Sequence, residues 1–340
     1  MKFTPDNYRK FSSLVGQHNA ISIFRKEVAI IGTQIQKSAT LVTARAGMGK
    51  TALLEAFCGE ARELGARIVY VENPTLLRTP EAMAIFFDHL RDAVLSGHSV
   101  YLIMDECHEA WTPPKGKSMT VSLASLCTFL RVAMDPSKCG AIEISLDGFE
   151  PIPWNNVQCK VILATNHPEL IHADAIHSRT EVIGLESYSD KDMAEIVSRL
   201  VKASGLRGDP NTLHHLVRVC RGTAREMDKI LLGMLRHLKG KSTINRADVF
   251  TVLKEKNLFP GGINKDEADM LKLVSGEGQK TAGVRAMLPS LAITTIREGM
   301  AFLMSPTFKL PLVRMAGTRY QRTKAGDAYI VECRKEGFNI

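Results

Sequence analysis

The sequence predicts an α/β fold in which a parallel sheet covered on both faces is followed by a helical lid domain and a C-terminal domain of three helices and a β-wing. Three observations carry this. Apolar runs at Thr40–Thr43, Arg67–Val71, Val100–Met104, Val161–Thr165 and Val182–Leu185 alternate with helical patterns, as strands buried on both faces do. After Leu185 the strand signal stops and four helical patterns follow, Ser189–Ala203, Pro210–Cys220, Ala224–Leu238 and Arg246–Lys256, opened by Ser189-Asp190, Asp209-Pro210 and Asn245 among others. Phe259-Pro260-Gly261-Gly262 then reads as a linker, and beyond it three short helical patterns lead into a β-like stretch, Leu312–Tyr329, with an internal Ala-Gly turn. The expected domains are 1–186, 187–258 and 264–340.

The sharpest chemical signal lies between the first strand and its helix. Residues 44 to 51 read Ala-Arg-Ala-Gly-Met-Gly-Lys-Thr. In that setting the backbone from Gly47 through Met48 and Gly49 turns its N–H groups inward on phosphates, Lys50 adds a point charge, and the Thr51 hydroxyl is offered to Mg²⁺. The chain is therefore expected to bind ATP with Mg²⁺. Val100–Met104 delivers Asp105 and Glu106 at its C-terminal edge, where ligands bind in open α/β sheets. Asp105 suits the metal and Glu106 suits activation of the attacking water. Asn166, after Ala164-Thr165, places an amide beside the expected γ-phosphate, as a sensing residue would be. Arg179, in His177-Ser178-Arg179 before the fifth strand, stands where an arginine reaches a neighbouring subunit's site, and Arg225 lies in the first turn of a lid helix.

Composition narrows the partners. At 340 residues, 45% apolar and 24% charged, the chain is an ordinary globular sequence with room for two or three domains. No run approaches 18 apolar residues and no secretory leader is recognisable, so a cytoplasmic protein is expected. Seven cysteines (58, 107, 127, 139, 159, 220 and 333) form no Cys-x-x-Cys pair and read as small buried hydrophobes. From Arg285 to Lys324 there are seven Lys or Arg against the single acid Glu298. That imbalance points to a polyanion, with Arg314, Arg319, Arg322 and Lys324 as the phosphate contacts of a DNA-binding wing.

One insertion stands apart. Ala141-Ile142-Glu143-Ile144-Ser145-Leu146 alternates as a strand, Asp147-Gly148 is a hairpin turn, and Phe149 to Trp154 returns despite Pro151 and Pro153. Ile142, Ile144 and Leu146 share one face. The pattern leaves open whether that face is exposed for a partner or extends the core.

Taken in order, these parts resemble an AAA+ ATPase: Walker A at Gly47–Thr51, Walker B at Leu102–Glu106, sensor 1 at Asn166, an arginine finger at Arg179 and sensor 2 at Arg225. The details are similar to the bacterial RuvB family. Asp105-Glu106-Cys107-His108 resembles its Asp-Glu-x-His, Leu14-Val15-Gly16-Gln17 its Ile-Gly-Gln, Arg221-Gly222-Thr223-Ala224-Arg225 its Arg-Gly-Thr-x-Arg, and the tail its Arg/Thr/Gly-rich wing, so the resemblance runs from about Asn7 to Glu332. It implies an AAA+ fold with a helical lid and a winged helix, nucleotide contacts at Val15 and Gly16, a hexameric ring on duplex DNA that drives branch migration at four-way junctions, and a protruding hairpin at 141–154 that takes a RuvA-like partner. An alternative with the same parts is a loader or regulator of clamp-loader or transposition type, which assembles on DNA in an ATP-dependent switch. Ala44-Arg45-Ala46 in place of Gly-Pro-Pro, Asn166 in place of threonine, and the Pro/Lys-rich stretch from Trp111 to Lys117 depart from the family and suggest a divergent relative of phage or mobile-element origin.

Overall fold

The computed structural model describes the chain apart from residues 1–2, 6–7, 34, 36–37, 113–119, 136, 139, 172–175, 177 and 306–310. Asn7, Cys139, His177, Lys309 and most of the Pro/Lys-rich stretch, on which the sequence reading touched, lie outside the described residues. The chain divides into two compact units, Met1–Ser187 and Tyr188–Ile340.

In the first unit, β1 (Ala39–Thr43), β2 (Arg67–Val71), β3 (Val100–Met104), β6 (Cys159–Thr165) and β7 (Thr180–Gly184) form one parallel sheet in the order β2-β3-β6-β1-β7. Alternating side chains feed two cores. Leu41, Val69, Leu102 and Leu163 face α3 (Pro80–Leu95) and α4 (Val121–Ala133), whereas Val42, Ile68, Ile103 and Ile162 face α1 (His18–Ala29) and α2 (Lys50–Glu63). This is why Ile68–Val71, Val100–Met104 and Val161–Ala164 read as continuous apolar runs, whereas edge strand β7 leaves Val182 exposed. Thr79 caps α3 by accepting the Ala82 N–H at 3.2 Å, with Pro80 pre-set at the first helical position.

The hairpin is a separate antiparallel pair, β4 (Ala141–Leu146) and β5 (Phe149–Asn155), with Ile144 opposite Ile152 and Ile142 opposite Trp154. It corrects the expectation of an exposed apolar docking face. Ile144, Ile152 and Trp154 are buried at 3%, 1% and 0% exposure within the core beneath α3 and α4, and Ile142, Leu146 and Phe149 pack against that core. The Trp154 ring meets Phe129 edge-on at 5.4 Å, and Phe149 meets Phe87 at 4.8 Å. The physical reason is the apolar load of α3 and α4, whose Phe87 and Phe129 the β-strands of the main sheet do not cover and the hairpin does.

In the second unit, helices α5 (Asp190–Ala203), α6 (Pro210–Val219), α7 (Ala224–Leu238) and α8 (Arg246–Glu255) are joined by the two-residue strands β8 (Arg207–Gly208) and β9 (Thr243–Ile244). Ser189 and Asn245 form capping boxes with Asp192 and Asp248, and Asp209 and Thr223 cap α6 and α7. The expected linker is folded: β10 (Leu258–Phe259) and β11 (Ile263–Asn264) pair antiparallel about a turn at Pro260–Gly262. Gly262 holds φ +79°, and a Cβ there would lie 2.6 Å from the Val219 carbonyl oxygen. The three helices α9 (Lys265–Leu273), α10 (Thr281–Met287) and α11 (Ile293–Leu303) and the hairpin β12 (Val313–Ala316) and β13 (Arg319–Arg322) follow. The β-like stretch ends earlier than read, because Thr323 accepts the Gly326 N–H at 3.1 Å and starts a terminal helix, α12 (Lys324–Lys335). One apolar core runs from Met193 to Ile340, joining the lid helices to everything beyond them.

Candidate active site and nucleic-acid interface

Four sequence-predicted residues meet at the C-terminal edge of the sheet. Gly47 and Gly49 hold φ of +82° and +89°, which turns the loop after β1 and opens α2 at Lys50. The Thr51 hydroxyl donates to Asp105 Oδ2 at 2.7 Å, while Asp105 Oδ1 accepts the Glu106 N–H at 2.9 Å. Lys50 is buried, with Nζ 3.9 Å from Glu106 Oε1. A hydroxyl and a carboxylate oxygen converging beside a lysine suit Mg²⁺ on a phosphate, since that ion takes one or two protein oxygens and fills the rest with water and phosphate. Among the described residues no cluster of three His, Cys, Asp or Glu offers a closed metal cage instead.

Asn166 follows β6, which lies between β1 and β3, so it stands between the phosphate loop and the two acids. Its Oδ1 is buried without a hydrogen-bond partner. A buried carbonyl costs about 1–3 kcal/mol when unpaired, so this atom is poised for a donor that arrives with ligand.

Sequence reasoning gave His108, Thr165 and Gln17 no role. His108 Nδ1 lies 3.0 Å from Thr165 Oγ1 and 3.6 Å from Glu106 Oε2, and its ring meets His167 edge-on at 5.0 Å. Burial holds this imidazole below its ordinary pKa, with Glu106 and Glu109 opposing and His167 and Lys50 reinforcing the shift. A neutral histidine thus bonds Thr165, the last residue of the strand before Asn166, and lies beside Glu106. Glu106 itself sits at φ +47°, a left-handed conformation unusual outside glycine, so its backbone is strained where its carboxylate is presented toward Lys50. Gln17, at φ +54° beside Gly16 at +66°, donates to the Glu186 carbonyl at 2.7 Å and the Met48 carbonyl at 3.4 Å, and accepts the Glu186 N–H at 3.1 Å. It fastens the phosphate loop to the chain leaving β7. The only sequence signal for Gln17 and His108 was their place in the family patterns.

Of the two predicted arginines, one lies away from the loop within the first unit and the other belongs to the second unit. Arg179 precedes Thr180, which pairs with Ala39 at the start of β1, so it stands at the opposite sheet edge from the phosphate loop. Strand β1 spans roughly 13 Å at about 3.3 Å per residue. Arg225 is exposed in the first turn of α7 in the second unit, and Val15 and Gly16 precede α1.

The basic tail divides into exposed and committed residues. Arg314 and Arg319 are exposed on β12 and β13, Arg314 touching Gln321 at 3.3 Å. Arg322, counted among the phosphate contacts, is corrected: its guanidinium pairs with Asp327 at 2.7 Å and donates to the carbonyls of Leu271 and Lys272 at 3.1 Å each, closing the C-terminal end of α9. Lys324 is exposed as the first residue of α12, just past the wing. Arg285 and Arg297 are exposed on α10 and α11 and line a concavity of about 570 Å³ with Thr281, Pro289 and Ile293.

Comparison with known proteins agrees with this geometry. Residues 40–186 match the ATPase family associated with various cellular activities (AAA). The chain is similar to the Holliday junction branch migration complex subunit RuvB of Chloroflexus aurantiacus and of Chloroflexus aggregans, 27% identical over 224 residues in each case. The match covers 66% of this chain and 58% of each relative's length. In structure it resembles a mutant of Thermotoga maritima RuvB, with a TM-score of 0.64 and 17% identity over 98% of this chain and 99% of the other. It likewise resembles the Thermotoga maritima RuvB Holliday junction branch migration motor, with a TM-score of 0.62 and 17% identity over 95% and 97% of the two chains. The chain is thus similar in sequence to RuvB, matches an AAA domain over residues 40–186 and shares the fold of those RuvB structures.

Proposed function

We propose that this protein is an ATP-driven motor that moves duplex DNA and drives branch migration at four-way junctions. The observation that carries the ATPase half is the convergence of Thr51 Oγ1 and Asp105 Oδ2, 2.7 Å apart, beside buried Lys50 and partly exposed Glu106. When bound there, Mg²⁺ supplies charge neutralisation for the phosphates. Lys50 and the N–H groups from Gly47 to Thr51 hold the β- and γ-phosphates, Glu106 takes a proton from the attacking water, and Asn166 orients it. Arg179, about a strand's length from its own loop, serves a neighbouring subunit's site in a ring, and Arg225 answers to bound nucleotide.

The DNA half rests on the RuvB likeness and on the exposed cations of the tail. Arg314 and Arg319 with Arg285 and Arg297 make phosphate contacts that hold a duplex without reading its bases. A RuvA-like partner at the hairpin would meet its exposed edge, Glu143, Asp147 and Glu150, and not the buried isoleucines. A cytoplasmic site of action fits the observation that, among the described residues, no helix is long and apolar enough to cross a membrane.

The test is a four-way junction with one labelled arm pair, incubated with the full chain, ATP and Mg²⁺. The motor reading expects ATP-dependent separation of the arms that Glu106→Gln abolishes. ATP-dependent DNA binding with no movement at any protein concentration, with or without a junction-binding partner, would instead support the loader.

A further inference from the structure

The turn between α6 and α7 carries an arginine that the proposed chemistry does not use. Arg221 holds φ +52°, a left-handed conformation unusual outside glycine, and Gly222 follows at +73°. Its guanidinium grips Glu267 of α9 with two bonds, Nη2 to Oε1 at 2.6 Å and Nη1 to Oε2 at 3.2 Å. The same guanidinium lies 3.8 Å from the centroid of Phe302 on α11. Planar, forked recognition of a carboxylate combined with stacking on a ring is what arginine offers and lysine does not.

Each partner is fixed in its own right. Glu267 is buried at 4% exposure, and its Oε2 also accepts the Asn264 N–H at 2.9 Å in the capping box that starts α9. Among the described residues Arg221 is the only cation paired with it. On the other side, Arg221 is four residues before Arg225 and directly precedes Gly222-Thr223, where the Thr223 hydroxyl caps α7. Gly262 closes the same junction, since a Cβ there would lie 2.9 Å from Arg221 Cγ. One side chain thus joins the start of the helix bearing Arg225 to two of the three helices that support the exposed cations of α10, α11 and the β12–β13 hairpin.

We propose that Arg221 is a positioning residue that couples the nucleotide-responsive start of α7 to the DNA-binding helices through Glu267 and Phe302. The proposal rests on the ATP-driven DNA reading above. Through this strap, a shift of α7 on nucleotide binding or release moves α9 and α11 with it, and DNA held on those helices alters turnover by the same path. Coupling of this kind is reciprocal for binding.

The experiment compares the full chain with the paired variant Arg221→Met, Glu267→Gln, which removes both charges and strands no buried carboxylate, and with Arg221→Lys. Three quantities are read: ATPase rate without DNA, ATPase rate with saturating duplex, and the change in amide hydrogen exchange over residues 265–303 on adding a non-hydrolysable ATP analogue. In the paired variant we expect the DNA-free rate and the DNA affinity in the absence of nucleotide to stay within about twofold, while stimulation by DNA falls by at least about fivefold, the lower end of a typical coupling. The analogue should protect 265–303 in the wild type and lose that effect in the variant, with Arg221→Lys between the two. A merely structural contact would lower both rates together and leave their ratio intact, which overturns the proposal, as does full stimulation in the folded variant. Wild-type turnover that responds to DNA while 265–303 ignores the analogue overturns the strap alone. Wild-type turnover indifferent to DNA overturns the functional reading, and the strap with it.

Discussion

Replacing Ile144 or Ile152 by alanine should destabilise the first unit while leaving the second untouched. These residues face each other across the hairpin and are 3% and 1% exposed. Each truncation removes three buried carbon atoms and leaves a cavity beneath α3 and α4, at a cost of about 2–5 kcal/mol. Because the two side chains share the space, the double variant should depart from additivity by about 0.5–3 kcal/mol. Both tryptophans, Trp111 and Trp154, are buried in the same core as the hairpin, so urea unfolding followed by tryptophan fluorescence reports the first unit alone. With a slope of roughly 2–3 kcal/mol/M, a loss of about 3 kcal/mol moves the midpoint down by roughly 1 M. Glu143→Ser, on the exposed edge of the same strand, should shift it little, within about 0.5 kcal/mol. Midpoints for Ile144→Ala and Ile152→Ala no lower than that of Glu143→Ser would refute the reasoning and restore the hairpin as a free surface.

Three further outcomes are expected. Glu106→Gln should bind ATP yet turn it over very slowly, whereas Lys50→Ala should bind poorly; equal nucleotide affinities for the two, or normal turnover by Glu106→Gln, would remove them from these roles. Arg319→Ala should flatten the log–log salt dependence of DNA binding by about one unit, while Arg322→Ala should leave that slope alone and instead lower the stability of the second unit by about 1–3 kcal/mol, through the lost bonds to Asp327, Leu271 and Lys272. His108 titrates below the ordinary imidazole value of 6.5 because it is buried. The unfolded chain therefore takes up this proton first on acidification, and the stability it contributes is complete above about pH 6.5 and declines below it. Fluorescence-detected melts of wild type and His108→Gln should diverge less at pH 6 than at pH 7.5, and a constant difference across that range would count against a neutral, buried histidine.

Strands β2 and β3 were legible because both of their faces are covered: Arg67–Val71 and Val100–Met104 carry the same bounds in sequence and structure. Helix starts were legible where a side chain closes the cap, as at Ser189, Thr223 and Asn245. The phosphate loop, Asp105 and Glu106 could be placed together for the same reason, since consecutive strand ends in a parallel sheet share one edge. His108 was not, because its partner Thr165 is 57 residues away and no periodicity connects them.

The hairpin and Arg322 fail in the same physical way. Alternation in Ile142-Glu143-Ile144-Ser145-Leu146 fixes which side chains share a face, but the face's fate depends on whether some other element has apolar surface left to cover, and here α3 and α4 do. A guanidinium in a basic tail is likewise available to DNA only if no acid or carbonyl claims it first. For Arg322 the claimants are Asp327, five residues on, and the end of α9, some fifty residues back. Charge counted along the chain overstates the surface that phosphate can reach, and the excess consists of those cations that a folded neighbour has already satisfied. Of the four cations assigned to the wing, Arg314 and Arg319 are exposed on its strands, and exposed Arg285 and Arg297, one domain's helices away in sequence, extend the same basic set without belonging to any motif.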